Sequence, residues 1–183
     1  MKILLALSSV LLAFDTTLPA LPKLQLVGNA PVMHVAGRPR AGWVQGGLLD
    51  LTFDRVGWTI RGGALGAPVD IAIDHNAKTI KGGAHGRPVD ARFEFEPGSW
   101  AVKGGLIDYK VDWHAKTIRG GINGRPISAT FTPTAIKGEG VDLTLEPVSG
   151  RLTGGVAGQR IEAVLTNLDL TDLLQHFYLL VKP

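Results

Sequence analysis

The stretch Thr79 to Phe95 reads TIKGGAHGRPVDARFEF, and most of the chain repeats it. Polar and apolar residues alternate in TIKG and again in VDARFEF, which is the period of a strand with one buried face. The dipeptide His85-Gly86 lies between the two runs, and a glycine at this point is typical of the tight loop of a β-hairpin. The stretch therefore predicts two antiparallel strands in which Lys81 faces Asp90.

Copies of this hairpin recur between Trp43 and Leu165, and the same register can be applied to each. The long copies predict the facing pairs Arg61 with Asp70, Arg119 with Ser128, and Thr153 with Glu162. Three copies are shorter by four residues and predict Gln45 with Asp50, Lys103 with Asp108, and Lys137 with Asp142. Removing four residues deletes two cross-strand pairs and leaves every other side chain on its own face, so long and short copies support one register.

The opposite face of the hairpins is apolar, and each hairpin carries one glycine there at the same height. Glycine inside a strand often marks a bend, a bulge or the close approach of another group. We therefore expect the sheet to curl along this line or to leave a groove that holds an apolar ligand. The residues assigned to this groove are Gly62, Gly82, Gly104, Gly120, Ile60, Ile80 and Ile118.

Seven hairpins give about fourteen short strands, which predicts an all-β antiparallel meander of hairpin repeats over about residues 42–166. The pattern leaves open whether the sheet curls into a groove, a roll or a barrel. Fourteen strands exceed what a barrel filled by its own side chains normally holds. A membrane barrel, with the charged face turned into its lumen, is a further alternative.

The end of the chain has apolar residues at helical spacing, which predicts a short C-terminal helix over about residues 171–181 with Thr171 as its N-cap. We expect this helix to cover an open end of the sheet. The alternative is a helix that associates with a membrane surface or docks on a partner. Residues 21–183 would then form a single β-repeat domain.

The segment Met1 to Ala20 contains Lys2 followed by an apolar run from Ile3 to Phe14, and it resembles a secretory signal peptide. This predicts an exported protein of the periplasm or cell envelope. The alternative is that the segment forms a buried first strand. The chain has no cysteine, which excludes disulfides and thiolate metal sites.

None of the motifs of zinc proteases, serine hydrolases or phosphate-binding loops occurs, so we expect no catalytic activity, no cofactor and no metal site. A carbohydrate hydrolase that uses two aspartates as its carboxylate pair is a distant alternative. Each of the repeated aspartates faces a basic or polar residue of its own hairpin, which favours a structural role. They are Asp50, Asp70, Asp90, Asp108 and Asp142.

The 183 residues carry a net charge of +3, but the basic residues are spread along a ladder that faces acids. Aromatic residues interleaved with a basic run are absent, which argues against nucleic-acid binding. Arg38, Arg87 and Arg125 share a Gly-Arg-Pro setting at hairpin tips, and such guanidinium groups suit phosphate or carboxylate. The alternative is that they are solvated and discourage edge pairing.

The strands that end in G-x-P-[VI]-[DS], together with the segment LTNLDLTDLL at residues 165–174, resemble the β-repeat regions of AsmA/TamB-like envelope proteins. The resemblance implies a long curled sheet with an apolar groove and a role in moving lipid across the bacterial envelope. Our primary expectation is a non-catalytic envelope protein that binds lipid or another apolar ligand, with an envelope protein as a further partner. The alternative is a structural or partner-binding module with a filled core.

Overall fold

The computed structural model describes residues 39–183, so the predicted signal segment lies outside the described residues. Fourteen strands follow one another along the chain, as the repeat predicts. They are β1 (Ala41–Gly46), β2 (Leu49–Asp54), β3 (Thr59–Ala64), β4 (Ala67–Asp74), β5 (Thr79–Ala84), β6 (Arg87–Glu96), β7 (Ser99–Gly104), β8 (Ile107–Asp112), β9 (Thr117–Ile122), β10 (Arg125–Thr132), β11 (Ala135–Glu139), β12 (Val141–Glu146), β13 (Arg151–Val156) and β14 (Gln159–Thr166).

Each strand pairs antiparallel with its neighbour in sequence, and β1 also pairs with β14, where Trp43 lies opposite Thr166. This last pairing closes the sheet into a barrel. The prediction of an all-β antiparallel meander is therefore confirmed, and the barrel is the one of the three predicted forms that the chain adopts.

The register predicted from the repeat is confirmed in the long and the short hairpins. Lys81 faces Asp90, Arg61 faces Asp70, Arg119 faces Ser128, Thr153 faces Glu162, Gln45 faces Asp50, Lys103 faces Asp108, and Lys137 faces Asp142. The Nε of Arg61 lies 3.2 Å from Oδ1 of Asp70, on the exposed face of the sheet. An exposed pair of this kind contributes about 0.2 to 1 kcal/mol, so its main effect is on register.

The two ends of the barrel have different turns. At the end that we call the tip end, the two-residue hairpin loops include His85-Gly86, whose φ angles of 55° and 73° suit a type I′ turn. At the opposite end, which we call the turn end, three turns begin with an aspartate: Asp74, for example, accepts hydrogen bonds from the N–H groups of Asn76 and Ala77 at 2.9 and 2.8 Å. The aspartates that begin the other two turns, Asp54 and Asp112, accept the same pair of bonds, which lower the pKa of both carboxyl groups.

The apolar face of the sheet points into the barrel and the charged face points outward. Ile60, Ile80 and Ile118 are at most 1% exposed, whereas the side chains of Arg61 and Asp70 are 69% and 77% exposed. This polarity is the opposite of that in a membrane-spanning barrel, which turns an apolar band outward. The alternative of a membrane barrel predicted that the charged face lines the lumen, and that prediction is therefore wrong.

The lumen is filled by residues 168–181, which we call the plug. The plug contains the helix α1 (Leu170–Gln175) and a 3₁₀ turn (Phe177–Leu180). Its buried apolar side chains, each at most 3% exposed, are Leu170, Leu173, Leu174, Phe177, Tyr178, Leu179, Leu180 and Val181. Because the plug adds its own side chains to those of the wall, fourteen strands enclose a packed interior.

The helix begins earlier and ends earlier than the sequence predicts. Its N-cap is Asp169, whose carboxylate accepts hydrogen bonds from the N–H groups of Thr171 and Asp172, so the assignment of Thr171 as the cap is wrong. Asp172 completes a capping box by accepting from the N–H of Asp169 at 3.0 Å. Among residues 39–183, neither α1 nor the 3₁₀ turn is long and apolar enough to cross a membrane.

The plug enters the barrel at the turn end. Here Arg55, in the turn between β2 and β3, donates to the carbonyl of Asn167 at 2.8 Å and pairs with Asp172 at 3.3 Å. The plug reaches the tip end at Val181, whose carbonyl accepts a hydrogen bond of 2.7 Å from the side chain of Asn123. The plug therefore runs along the lumen from one end to the other.

Halfway along the lumen the plug contacts opposite walls. The carbonyl of Gln175 accepts hydrogen bonds from Trp100 on β7 and Tyr109 on β8, at 3.2 and 2.7 Å. The ring of the next residue, His176, lies 5.8 Å from that of Phe53 on β2, across the barrel. The expectation that the helix covers an open sheet end is therefore wrong, because residues 177–181, which are apolar or aromatic and all buried, can bury every face only inside the closed wall.

Candidate functional site

Each odd-numbered strand carries one of the repeated glycines, which we call the strand glycines. Each of them lies where its strand approaches the last strand of the preceding hairpin, which for β1 is β14. Six of the seven have φ between 131° and 153°, a region that side chains rarely adopt. A Cβ at Gly62 would meet the carbonyl oxygen of Asp50, and one at Gly82 would meet that of Asp70. The same relation joins Gly46 to Glu162, Gly104 to Asp90, Gly120 to Asp108, Gly138 to Ser128, and Gly154 to Asp142.

The structure does not bring the residues of the predicted groove together. The three isoleucines lie in the core, in contact with the filled interior, whereas Gly62, Gly82 and Gly120 are exposed to solvent. Gly104 differs from them because it lines a cavity at the tip end of the barrel. This cavity, and not the glycine line as a whole, is a concave site whose lining lies within residues 39–183.

The cavity has a volume of about 250 Å³ and lies between the tips of the β5–β6 and β7–β8 hairpins. Its lining consists of Ala84, His85, Arg87, Pro88, Val89, Asp90, Gly104, Gly105, Leu106, Ile107, Asn123, Tyr178 and Pro183. The wall and the plug therefore build the site jointly.

The inner surface of the cavity is apolar and its mouth is exposed. Val89 and Ile107 are 8% and 7% exposed, whereas Leu106, in the β7–β8 loop, is 53% exposed. Leu48 has the same place in the β1–β2 loop and a similar exposure of 47%, but it does not line the cavity. These two leucines form a matched pair for experiments.

Two residues of the lining, Tyr178 and His85, carry buried polar atoms. Tyr178 is 2% exposed, and neither its hydroxyl nor either ring nitrogen of His85 has a hydrogen-bond partner among residues 39–183. Burial raises the pKa of Tyr178, so the phenol is a neutral donor. By contrast, the hydroxyl of Tyr109, which is buried deeper in the lumen, donates to the plug at Gln175.

Two polar residues of the lining contact the plug. Burial lowers the pKa of His85, an effect that the neighbouring backbone of Tyr178 opposes, so the imidazole is neutral at neutral pH. Asn123 holds the end of the plug through its hydrogen bond to Val181 and also lines the cavity.

Arg87 and Asp90 both line the cavity, and both are exposed. Arg125 begins β10, four strands from β6, which corresponds to about 19 Å along the wall at about 4.8 Å per strand. Arg87 and Arg125 are therefore not brought together around one anion. Arg38, the third residue of the predicted anion site, lies outside the described residues.

The remaining titratable cluster lies inside the barrel. His176 is 8% exposed, and burial, with a smaller effect from His75, lowers its pKa to about 3. The ring of His75 also packs against those of Trp58 and Phe93, with centroid distances of 3.9 and 5.4 Å. Within residues 39–183, no group of three or more His, Asp or Glu side chains is arranged to hold a metal ion.

Sequence reasoning identified Gly104 and Arg87 but missed Tyr178, Leu106 and Ile107. An apolar residue in a tight, exposed loop was the one local signal, and both Leu48 and Leu106 carry it. No family model, curated protein or solved structure matches the chain. Function must therefore be inferred from the geometry of the site.

Proposed function

We propose that the chain is a non-catalytic envelope protein that holds an apolar ligand in the cavity at the tip end of its barrel. The observation that carries the proposal is the cavity itself, which has an apolar inner wall and a few polar groups. Sites for small molecules usually have this form, although most are somewhat larger than 250 Å³. A lipid would place part of one chain or a small group in a space of this size.

The proposal moves the ligand from the predicted glycine groove to the barrel tip. The plug occupies the lumen and hydrogen-bonds to opposite ends of the wall, through Arg55 to Asp172 and through Asn123 to Val181. An apolar ligand in the lumen would have to displace the plug. The cavity, by contrast, has an exposed mouth at Leu106 and requires no such displacement.

Export and an envelope location are part of the proposal, and they rest on the signal-like segment Met1 to Ala20 and on the resemblance to AsmA/TamB-like proteins. Measuring the intact mass of the protein recovered from each cell fraction tests both. A mature species that has lost the segment and is found outside the cytoplasm is the expected result. An uncleaved protein confined to the cytoplasm would contradict this part of the proposal.

A structural or partner-binding module with a filled core is the second candidate, and the plug favours it. Eight apolar plug residues are buried within the wall, so the barrel has a complete core without any ligand. Association through the C-terminal helix, whether with a membrane or with an envelope protein, stays a prediction. It would require these side chains to leave the barrel.

A matched pair of loop variants tests ligand binding. Leu106→Gln removes apolar surface at the mouth of the cavity, whereas Leu48→Gln makes the same change in the equivalent loop away from it. We expect isopropylbenzene, measured by titration calorimetry, to bind the unchanged protein and the Leu48 variant equally and the Leu106 variant several-fold more weakly. Mass spectrometry of organic extracts should show co-purifying apolar molecules in the same order.

Equal binding by both variants would place the ligand elsewhere. Absence of binding to the unchanged protein, together with extracts free of apolar molecules, would leave the filled-core module as the better account. Both variants change exposed residues, so circular dichroism should show that each retains the strand signal of the parent.

A further inference from the structure

Asn123 joins the plug to the mouth of the cavity. Its backbone N–H donates to the carbonyl of Leu106 at 2.7 Å, and its side-chain amide donates to the carbonyl of Val181, also at 2.7 Å. Leu106 lies in the exposed β7–β8 loop, whereas Val181 is the last residue of the plug and is 0% exposed. Asn123 itself lines the cavity. One residue therefore connects the loop at the mouth to the end of the plug.

Two other hairpin tips show which of these bonds is particular to Asn123. Leu65 and Ala157 are also the first residues of two-residue loops, and their N–H groups also donate to the tip of the preceding hairpin at 2.7 Å. Their φ angles of 53° and 51° match the 55° of Asn123. Neither side chain has an amide, so of these three residues only Asn123 can donate from its side chain to the plug.

The residues that follow the bond to Asn123 form part of the cavity. Pro183 lines it together with wall residues that include Val89 and Ile107. We call residues 181–183 the end segment, of which Val181 is buried and the other two residues are exposed. A ligand that fills the cavity contacts the wall on one side and the end segment on the other. It therefore binds more tightly when the end segment is in place.

The geometry points to Asn123 as a latch that couples ligand binding in the cavity to closure of the end segment. A bound ligand holds the end segment closed, and opening of the end segment loosens the ligand. The inference rests on the proposed function and specifies how that site is regulated. Because binding and closure are linked, each changes the other by the same factor. Lys182 is exposed, so a partner that pulls on the end segment can reach it from outside the barrel.

Opening of the end segment disrupts much less of the molecule than unfolding of the barrel. It breaks the bond to Asn123 and exposes one valine, while residues 177–180 can stay within the wall. The usual contributions of one hydrogen bond and one buried aliphatic side chain leave such a segment open in roughly 0.05 to 3% of molecules. Further back, the bonds of Trp100 and Tyr109 to Gln175 hold the plug in the lumen.

Thiol labelling measures the open population, because the chain has no cysteine of its own. Val181→Cys in the full chain keeps the backbone carbonyl that Asn123 binds and places a thiol at a position that is 0% exposed. At low concentrations of a disulfide reagent such as DTNB, the labelling rate is proportional to the open population. We expect isopropylbenzene, at ten times its dissociation constant, to slow the labelling by up to about 11-fold.

Asn123→Gly tests the latch, because glycine adopts the positive φ of this loop position but has no amide. In the Val181→Cys protein it should speed labelling by about 2- to 12-fold, which corresponds to the loss of one hydrogen bond. Ala157→Gly is the matched control at the same loop position of another hairpin, and it should leave the rate unchanged. Val111→Cys on β8, also 0% exposed, should be labelled much more slowly, because it reacts only when the barrel unfolds.

The outcomes distinguish this inference from the function on which it rests. If isopropylbenzene binds and Leu106→Gln weakens it, while the labelling of Val181→Cys does not respond to the probe, the cavity binds ligands but is not coupled to the end segment. Equal labelling rates with Asn123→Gly and Ala157→Gly would overturn the role of the latch. Equal rates for Val181→Cys and Val111→Cys would show that the end segment opens only with the whole barrel, which also overturns the inference. If isopropylbenzene does not bind, the proposed function fails and the coupling fails with it.

Discussion

At the scale of single residues, the strand glycines set how closely the strands of neighbouring hairpins approach. We predict that Gly82→Val and Gly120→Val each destabilise the barrel by about 1 to 3 kcal/mol, because their φ angles of 141° and 142° are strained for a β-branched residue. A Cβ at either position would also meet the carbonyl oxygen of the preceding strand. Thermal melts followed by circular dichroism measure the effect.

Gly83→Ala is the control for these variants, since Gly83 follows Gly82 in the same strand. Its φ is not in the strained region, and a Cβ there would lie 3.6 Å from the nearest atom, the carbonyl oxygen of Arg87. Alanine should be neutral or stabilise by up to about 1 kcal/mol. A higher melting temperature for both valine variants would show that the strands can separate at the glycines without loss.

The residue-scale register was predictable because it repeats. Each hairpin is local in sequence, so the facing of Lys81 and Asp90 follows from the loop between them. The glycine line was also visible in the sequence, but the group that approaches each glycine was not. That group is the backbone of another hairpin, and its position depends on how hairpins pack side by side.

At the scale of elements, the plug and the wall form one core. We predict that Leu174→Ala, at a site that is 1% exposed, destabilises the whole barrel by about 2 to 5 kcal/mol in a single unfolding transition. Denaturant unfolding should be followed both by strand circular dichroism and by tryptophan fluorescence, to which Trp100 contributes at its contact with Gln175 of the plug. Both signals should shift to the same lower midpoint.

Thr171→Ala serves as the comparison within α1, because Thr171 is only partly buried and its side chain does not belong to the apolar core. Its effect should be below about 1 kcal/mol. If Leu174→Ala shifted the tryptophan signal but left the strand signal in place, the plug would be an independent unit that leaves an intact barrel. Membrane association through the helix would then require no unfolding of the barrel.

The helix was predictable as an element, but its place was not. The segment FYLLV at residues 177–181 has no charged residue and is apolar or aromatic throughout, and that composition is typical of a buried segment. What the sequence lacked was evidence that the sheet closes around it. The cavity was hidden for the same reason, because Tyr178 and Leu106 meet only after the plug has reached the tip end.

At the scale of the whole molecule, the buried histidine makes stability depend on pH. The pKa of His176 is about 3 in the folded barrel and near 6.5 when exposed, so the unfolded chain binds more protons between these values. Stability is therefore complete above about pH 6.5 and is lost as the pH falls towards 3, with a slope of up to about 1.4 kcal/mol per pH unit. The lowered pKa of His85 acts in the same direction.

Denaturant unfolding between pH 4.5 and 6.5 isolates this effect, because the carboxyl groups with lowered pKa values, such as Glu162, are still ionised in both states over most of that range. His176→Phe should flatten the pH dependence, whereas His114→Gln, at an exposed turn, should leave it unchanged. A parent protein with constant stability over this range would contradict the burial of a neutral His176.

Closure was the feature of the whole molecule that local pattern did not decide. A groove, a roll and a barrel share the same hairpins. The barrel is distinguished by the pairing of β1 with β14. That contact joins the two ends of the repeat and depends on the sum of small twists between all the strands. The number of strands was predictable from the repeat, but the accumulated twist was not.

The pairing of β1 with β14 has a consequence for the newly made polypeptide. Individual hairpins form within microseconds, but at about 5 to 20 residues per second a ribosome needs roughly 6 to 25 seconds to proceed from Trp43 to Thr166. Throughout that interval the first strand has an unsatisfied edge, and the apolar inner face has neither its final strand nor the plug. The nascent chain therefore stays open, with an edge on which another strand could pair. In that state it can still be threaded through a narrow translocation channel, and once the last strand has docked it cannot.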